Sequence, residues 1–366
     1  MNDLNTSPRR AALPALVTAV AVAVLAAFVT LGGVAQTLNL AWGLWVTEAL
    51  VFLGLPWVVL TWWGVDSRRM AGADTGSGKS AALGFALGAL NYFAWAVPLM
   101  AAAQAFFPAK VVELFDSSAL FKHQTPVETA LLVAGVGVAA PVCEEFLFRG
   151  VLQRGLMERL QPSTAIVVTS LVFAAFHFDP VGFLARFEMG VLFGLLAWRS
   201  GSLWPSVAAH AANNLVSSAL FFASGGDTEG ALPLWVPLTS LAVGNALLFL
   251  VARLAEGRLA APQPAEIMVG ERRPLLRLLG GWAAAWLLSS AVIIALDARG
   301  ASLGLFDAMH PVPHEHRKDA RLWELRGKAR AGEAPVEEYR AYRISLAADG
   351  GPPLAPDGGV GEPPLK

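Results

Sequence analysis

The chain has almost no cysteine. Cys143 stands alone among 366 residues, so no intrachain disulfide can form and the sequence does not report a redox compartment. Charge is scarce too. Only 15% of residues are charged, where a soluble domain carries about 25%. The net charge of −1 argues against a nucleic-acid binder. No internal repeat is visible, and without an inverted repeat or a pair of broken helices a proton-coupled transporter has no support. No cleavable leader stands out either. Arg9 and Arg10 precede an apolar run from Leu13 to Val34 that is too long for a signal-peptide core, and Ala35-Gln36 is a weak cleavage site. The run reads as a retained first span.

What the chain does have is apolar sequence: 55% of residues are hydrophobic and the mean hydropathy is +0.53. These residues fall in long runs, which predicts an all-α, polytopic membrane bundle of eight to nine transmembrane helices. Nine candidates cover residues 12–34, 40–63, 81–107, 127–157, 163–178, 181–199, 203–223, 232–254 and 275–296. Arg9, Arg10, Arg68, Arg69, Lys79, Arg154, Arg159, Arg199, Arg253, Arg258, Arg272 and Arg273 all fall on one side if the spans alternate. Basic short loops stay inside, so the N-terminus is expected in the cytoplasm and the tail outside. The Ala, Gly, Pro and Arg bias suggests a bacterial inner membrane. Four regions follow: membrane helices in 1–110, a catalytic helical core in 111–225, further membrane helices in 226–298, and a polar, partly disordered tail in 299–366, with 317–347 helical and 349–366 rich in Gly, Pro and Asp.

Two local patterns look like ligand sites and read more simply as structure. Ala73-Asp74-Thr75-Gly76-Ser77-Gly78-Lys79-Ser80 resembles a phosphate loop, but it lies between two spans with no α/β domain around it. His310, His314 and Glu315-His316 lie among prolines in the tail and read as exposed chain.

The chain's most informative stretch is Pro141-Val142-Cys143-Glu144-Glu145-Phe146-Leu147-Phe148-Arg149-Gly150. Ionisable residues at membrane depth are expensive and mark function. On a helix, Glu145 and Arg149 are four apart and pair, with Glu144 about 100° away and left free. Further along, Phe173 and His177 share one helix face, as do His210 and Asn214, among small residues that allow close approach. Counting 1.5 Å per residue from the cytoplasmic ends places Glu144 about 20 Å deep, His177 about 21 Å and His210 about 12 Å. That is compatible with one pocket reached by water from the cytoplasmic side. Its chemistry suits peptide hydrolysis. Glu144 can take a proton from water, His177 can orient or deprotonate that water, and His210 with Asn214 can donate to the oxyanion. Glu48, Asn91, Arg186, Glu188 and Asn245 are further polar residues in apolar runs; Arg186 and Glu188 lie near an outer end and can face water, and Glu48 has no assigned role.

Glu144-Glu145-x-x-x-Arg149, Phe173-x-x-x-His177 and His210-x-x-x-Asn214, in this order on successive hydrophobic segments, resemble the CAAX-protease and bacteriocin-processing intramembrane endopeptidases, which include the Ras-converting CAAX prenyl endopeptidases. The resemblance covers about residues 127–220 and leaves the first three spans outside it. It implies a glutamic-type protease in a membrane helical bundle. The matching positions are Glu144 as activator of water, Glu145 held by Arg149, His177 and His210 as the motif histidines, and Asn214 as the oxyanion amide, with Phe173 shaping the pocket. Asn213 adjoins Asn214 and offers a second amide. The implied partners are the lipid bilayer and a membrane-anchored protein or peptide substrate, with no nucleic acid and no cofactor. The alternatives are a zinc metalloprotease on the same residues, with His177, His210 and a glutamate as ligands, and a non-catalytic membrane adaptor or immunity protein on the same scaffold.

Overall fold

The computed structural model describes residues 8–116, 120–225, 233–254, 267 and 269–347. Among these residues everything regular is helical, apart from an isolated antiparallel bridge between Val65 and Val269. Five helices are long and apolar enough to cross a membrane: α1 (Leu13–Leu38), α2 (Leu40–Trp63), α3 (Gly78–Phe106), α4 (Pro126–Leu156) and α9 (Leu275–Leu296). Between them lie α5 (Pro162–Ala175), α6 (Phe183–Ser200), α7 (Trp204–Ala223) and α8 (Trp235–Leu254). The nine expected segments are therefore present with ends shifted by a few residues, and the chain is an integral membrane helical bundle. Its outer surface is apolar, with Phe249, Leu276, Leu287 and Leu288 exposed as lipid-facing side chains are.

The helix boundaries follow from local chemistry. Asn39 alone separates α1 from α2: its backbone is extended and its side chain accepts from Trp42 N at 3.1 Å, capping α2. α2 stops at Gly64, whose φ of +86° suits glycine. α4 opens with Thr125 and Glu128 in a reciprocal capping box and Pro126 in its first turn. The phosphate-loop lookalike is a cap as well: Ser77 and Ser80 bond reciprocally at the start of α3, while Ser202 Oγ donates to Thr75 O and Trp204 Nε1 to Ala73 O.

Contacts between loops define the two ends of the bundle. At one end Arg10 pairs with Glu158 at 2.8 Å, Arg159 donates to Ala11 O, Arg9 to Gly270 O, and Arg154 to Gly201 O. At the other end Asn39 Nδ2 donates to Glu128 Oε1 at 2.9 Å, and Arg330 Nη2 reaches Glu128 Oε1 at 2.6 Å and also binds Asp297. The basic short loops thus share one end, and the tail lies at the other.

That tail is folded over residues 298–347. Helices α10 (Ala298–Met309), α11 (Ala320–Ala331) and α12 (Val336–Ala347) enclose a small core of Leu303, Val312, Leu322, Leu325, Ala329, Tyr339 and Leu346. Burial and the hydrogen bond to Asp307 push the Tyr339 phenol up to about 12. This part of the tail is a helical cap, and its polar composition hid seven buried side chains. His310 and His314 are partly buried within it, while the expected disorder of 349–366 lies outside the described residues.

α3 and α7 pack most closely. A Cβ on Gly84 would lie 2.2 Å from Pro205 O, and one on Gly88 2.1 Å from Ala209 O. Glycines four apart let the two backbones touch, which fixes the height of His210 on α7.

Candidate active site

α4 carries the acidic pair. Its helix is π-helical over Gly135–Ala139 and Phe146–Gln153, on either side of the α-helical turn Ala140–Glu145. Such wide turns recur at functional sites because they free carbonyls and re-aim side chains. Glu145 and Arg149 nonetheless meet as their spacing predicts: Arg149 Nη1 donates to Glu145 Oε1 at 2.7 Å, with both side chains 0% exposed. Arg149 Nη2 donates to Gly190 O on α6 at 3.0 Å. The guanidinium lies 4.5 Å over the Phe173 ring and 5.3 Å from that of Phe193. Phe173 therefore packs on the arginine, which is how it shapes the site.

Glu145 also holds a histidine. His210 Nδ1 is 2.9 Å from the same Glu145 Oε1, and its ring stacks on Phe193 with centroids 5.0 Å apart. A carboxylate oxygen only accepts, so Nδ1 carries the proton. Nε2 can then donate only when the ring is the imidazolium. This refines the oxyanion role: His210 needs both protons to perform it.

Glu144 is left free, as expected. It lines a large cavity, and its Oε2 has no hydrogen-bond partner. Titratable groups within Coulomb range of it are His210, Glu145, Arg149, Arg186 and Glu48. His177 lines the same cavity, but α5 ends at Ala175 and the histidine lies in the turn that follows. Phe178, next in line, has φ +50°, a conformation rare outside glycine and common at functional turns. The predicted relation to Phe173 survives as a hydrogen bond: His177 Nδ1 donates to Phe173 O at 2.9 Å. That leaves Nε2 as an acceptor. Asp179, two residues on, accepts from Val181 N and Gly182 N and pairs with Arg186, which lines the cavity.

Asn214 lines the cavity and donates through Nδ2 to Val136 O at 2.8 Å, a carbonyl in the first π-helical stretch of α4. One of its two amide protons is thus spent on position and the other is free. Asn213 is buried, also lines the cavity, and leans its Nδ2 toward Asn214 Oδ1 at 3.4 Å. Asn214 has the spacing of the motif, and the anchor on α4 belongs to it as well.

Glu48 is the site residue that sequence reasoning missed. It sits on the π-helical stretch Thr47–Gly54 of α2, which packs on Ala140–Glu145. Glu48 is 4% exposed, its Oε2 has no partner, it lines the cavity, and it lies within Coulomb range of Glu144. The pocket therefore holds a buried carboxyl near Glu144 that is contributed by a helix outside the motif region. A buried acid in an apolar run was the only signal.

The cavity, of about 2140 Å³, leads toward the cap end of the bundle. Its walls rise from Glu144, His177 and Asn214 past Asn39 and Glu128 to Trp323 and Arg330 of the cap. No described residue of the loops at the basic end lines it. Depths counted along single helices were symmetrical with respect to the two ends, so they could not show which end was open.

A model of the family described as type II CAAX prenyl endopeptidase, Rce1-like, matches residues 126–216. This stretch is an Rce1-like domain. It runs from the cap of α4 into α7 and contains Glu144, Glu145, Arg149, Phe173, His177, His210 and Asn214. The match links this stretch to the CAAX-type intramembrane proteases in general terms. It does not reach Glu48, α1 to α3, α8, α9 or the cap. Neither the curated proteins nor the solved structures yield a match.

Proposed function

We propose that the chain is a glutamic-type intramembrane endopeptidase that hydrolyses a peptide bond of a membrane-associated protein or peptide. The observation that carries this reading is the buried Glu145–Arg149–His210 network, which leaves Glu144 unpartnered on the cavity floor. Glu144 takes a proton from water as the hydroxide adds to the scissile carbonyl. His177 Nε2 accepts the water's second proton in a hydrogen bond and aims its lone pair. The oxyanion is met by Nε2–H of the His210 imidazolium and the free amide proton of Asn214. Collapse breaks the C–N bond. Glu48 hands its proton to the departing amine and recovers it from Glu144, so no proton is gained or lost over a cycle. The enzyme is placed in a bacterial inner membrane with its N-terminus in the cytoplasm.

Three outcomes test these assignments. Asn214→Ala lowers kcat by about 10²–10³, the cost of one oxyanion donor; a wild-type rate moves the role to Asn213. Glu48→Gln keeps the shape and removes the proton, and lowers kcat by about 10²–10⁴ with little change in KM. Unaltered turnover would make Glu48 a passive wall. The reaction is metal-free in this account. The amide of Asn214 on the cavity wall suits an oxyanion donor better than a zinc ligand. Chelator treatment should leave cleavage unchanged; loss of activity restored by zinc would replace the glutamic mechanism with the metalloprotease one.

A further inference from the structure

We infer that the site is served from outside the cytoplasm, and that its substrate is a polypeptide segment exposed on that side, passed between the cap and the helices. The inference rests on the peptidase reading for its substrate but not for its orientation.

Three independent observations converge on this. The first is charge. The short loops at the end opposite the cavity mouth carry the arginines that set orientation, and several are fixed there by loop-to-loop bonds such as Arg10 to Glu158 and Arg154 to Gly201 O. At the mouth end, the connections outside the helices of the bundle contain only Lys110 and Lys122 before the cap begins. Basic short loops remain in the cytoplasm, and long folded segments cross largely regardless of their charge, so the basic cap does not weigh against this.

The second is access. The cavity leads from Glu144 toward the cap end, and its upper wall includes Trp323, Arg326 and Arg330. A drug-sized ligand needs about 300–1,000 Å³. The 2140 Å³ here suits a stretch of polypeptide.

The third is the cap itself. It has its own apolar core and is tied to the bundle by contacts at the mouth: Arg330 to Glu128 and Asp297, Lys318 to Glu113 at 2.7 Å, and Trp323 stacked on His123 at 4.2 Å. These contacts hold a folded unit over the entrance, where it meets whatever enters first. The helices of the Rce1-like domain supply the chemistry, and the cap supplies the doorway. A cytoplasmic C-terminal tail, the substrate implied by the prenyl-endopeptidase name, would face the closed end.

The test uses the full chain in intact bacterial cells and has two arms. In a Cys143→Ser background, Arg317→Cys places a thiol on the exposed cap at the mouth, and Arg68→Cys places one at the basic end; both positions are exposed. With a membrane-impermeant maleimide, Arg317→Cys should label in intact cells and Arg68→Cys only after permeabilisation. The reverse pattern, or both labelling in intact cells, overturns the orientation. This arm needs no catalysis. In the second arm, the termini of membrane-anchored proteins are compared between cells making the wild type and cells making Glu144→Gln. New termini should map to segments outside the cytoplasm. Termini mapping to cytoplasmic segments overturn the inferred substrate. A complete absence of new termini overturns the peptidase reading while leaving the labelled orientation standing.

Discussion

Glu144→Gln is expected to fold like the wild type and to lose about 10²–10⁴ of its turnover, the share a positioned general base contributes. The expectation of intact folding comes from the hydrogen-bond network. Glu144 Oε2 has no partner, and the substitution breaks none of the bonds linking Glu145, Arg149, His210 and Gly190. It also removes one ionisable group from a low-dielectric pocket, which relieves desolvation. The check is paired: melting temperature and cleavage rate of the same detergent-solubilised sample. A stable, inactive protein is the predicted result. A stable protein with near wild-type turnover would move the base to Glu48 or His177.

Arg149→Met should fail differently. Arg149 and Glu145 are fully buried, and Glu145 Oε1 serves both the arginine and His210. Removing one partner of a buried pair typically costs about 3–5 kcal/mol, because the other charge is left uncompensated. Set against a total stability of about 5–15 kcal/mol, this is a large fraction. Yield and melting temperature should both fall, and activity with them. Arg149→Lys should not rescue, since an ammonium cannot reach Glu145 Oε1 and Gly190 O with one planar fork. The double variant Glu145→Leu, Arg149→Met separates fold from function: it removes the stranded charge and should regain stability, yet remain inactive because His210 has lost its anchor. Wild-type stability of Arg149→Met alone would show that the pair holds nothing together.

Much of this site could be read from the chain because it rests on local geometry. Glu145 and Arg149 meet because they are four apart on one helix, and the wide turns of α4 do not break that relation. Phe173 and His177 remain linked although the helix ends between them, because the histidine folds back onto the Phe173 carbonyl. The nine spans followed from hydrophobic runs, and caps such as Thr125 with Glu128 and Ser77 with Ser80 set their starts in the structure. What escaped depends on contacts between distant segments. Glu48 joins the pocket because α2 packs on α4, ninety-odd residues away in the chain, and no period announces that. The bond of His210 to Glu145, which dictates its proton count, spans 65 residues. The cap was hidden by composition: its core draws only one to three buried residues from each of three helices, with Val312 between them. The open end of the cavity was invisible because it is a property of the whole bundle.

The central claim is that Glu144 activates water for peptide hydrolysis within the membrane. The most direct test is single-turnover hydrolysis in ¹⁸O-labelled water by wild type and Glu144→Gln, each reconstituted in lipid vesicles with the membrane protein whose new terminus appears only in wild-type cells. The account predicts one ¹⁸O in the newly formed carboxyl terminus with wild type and no cleavage with Glu144→Gln. Equal cleavage by both proteins would contradict it, and would move the base to Glu48 or His177.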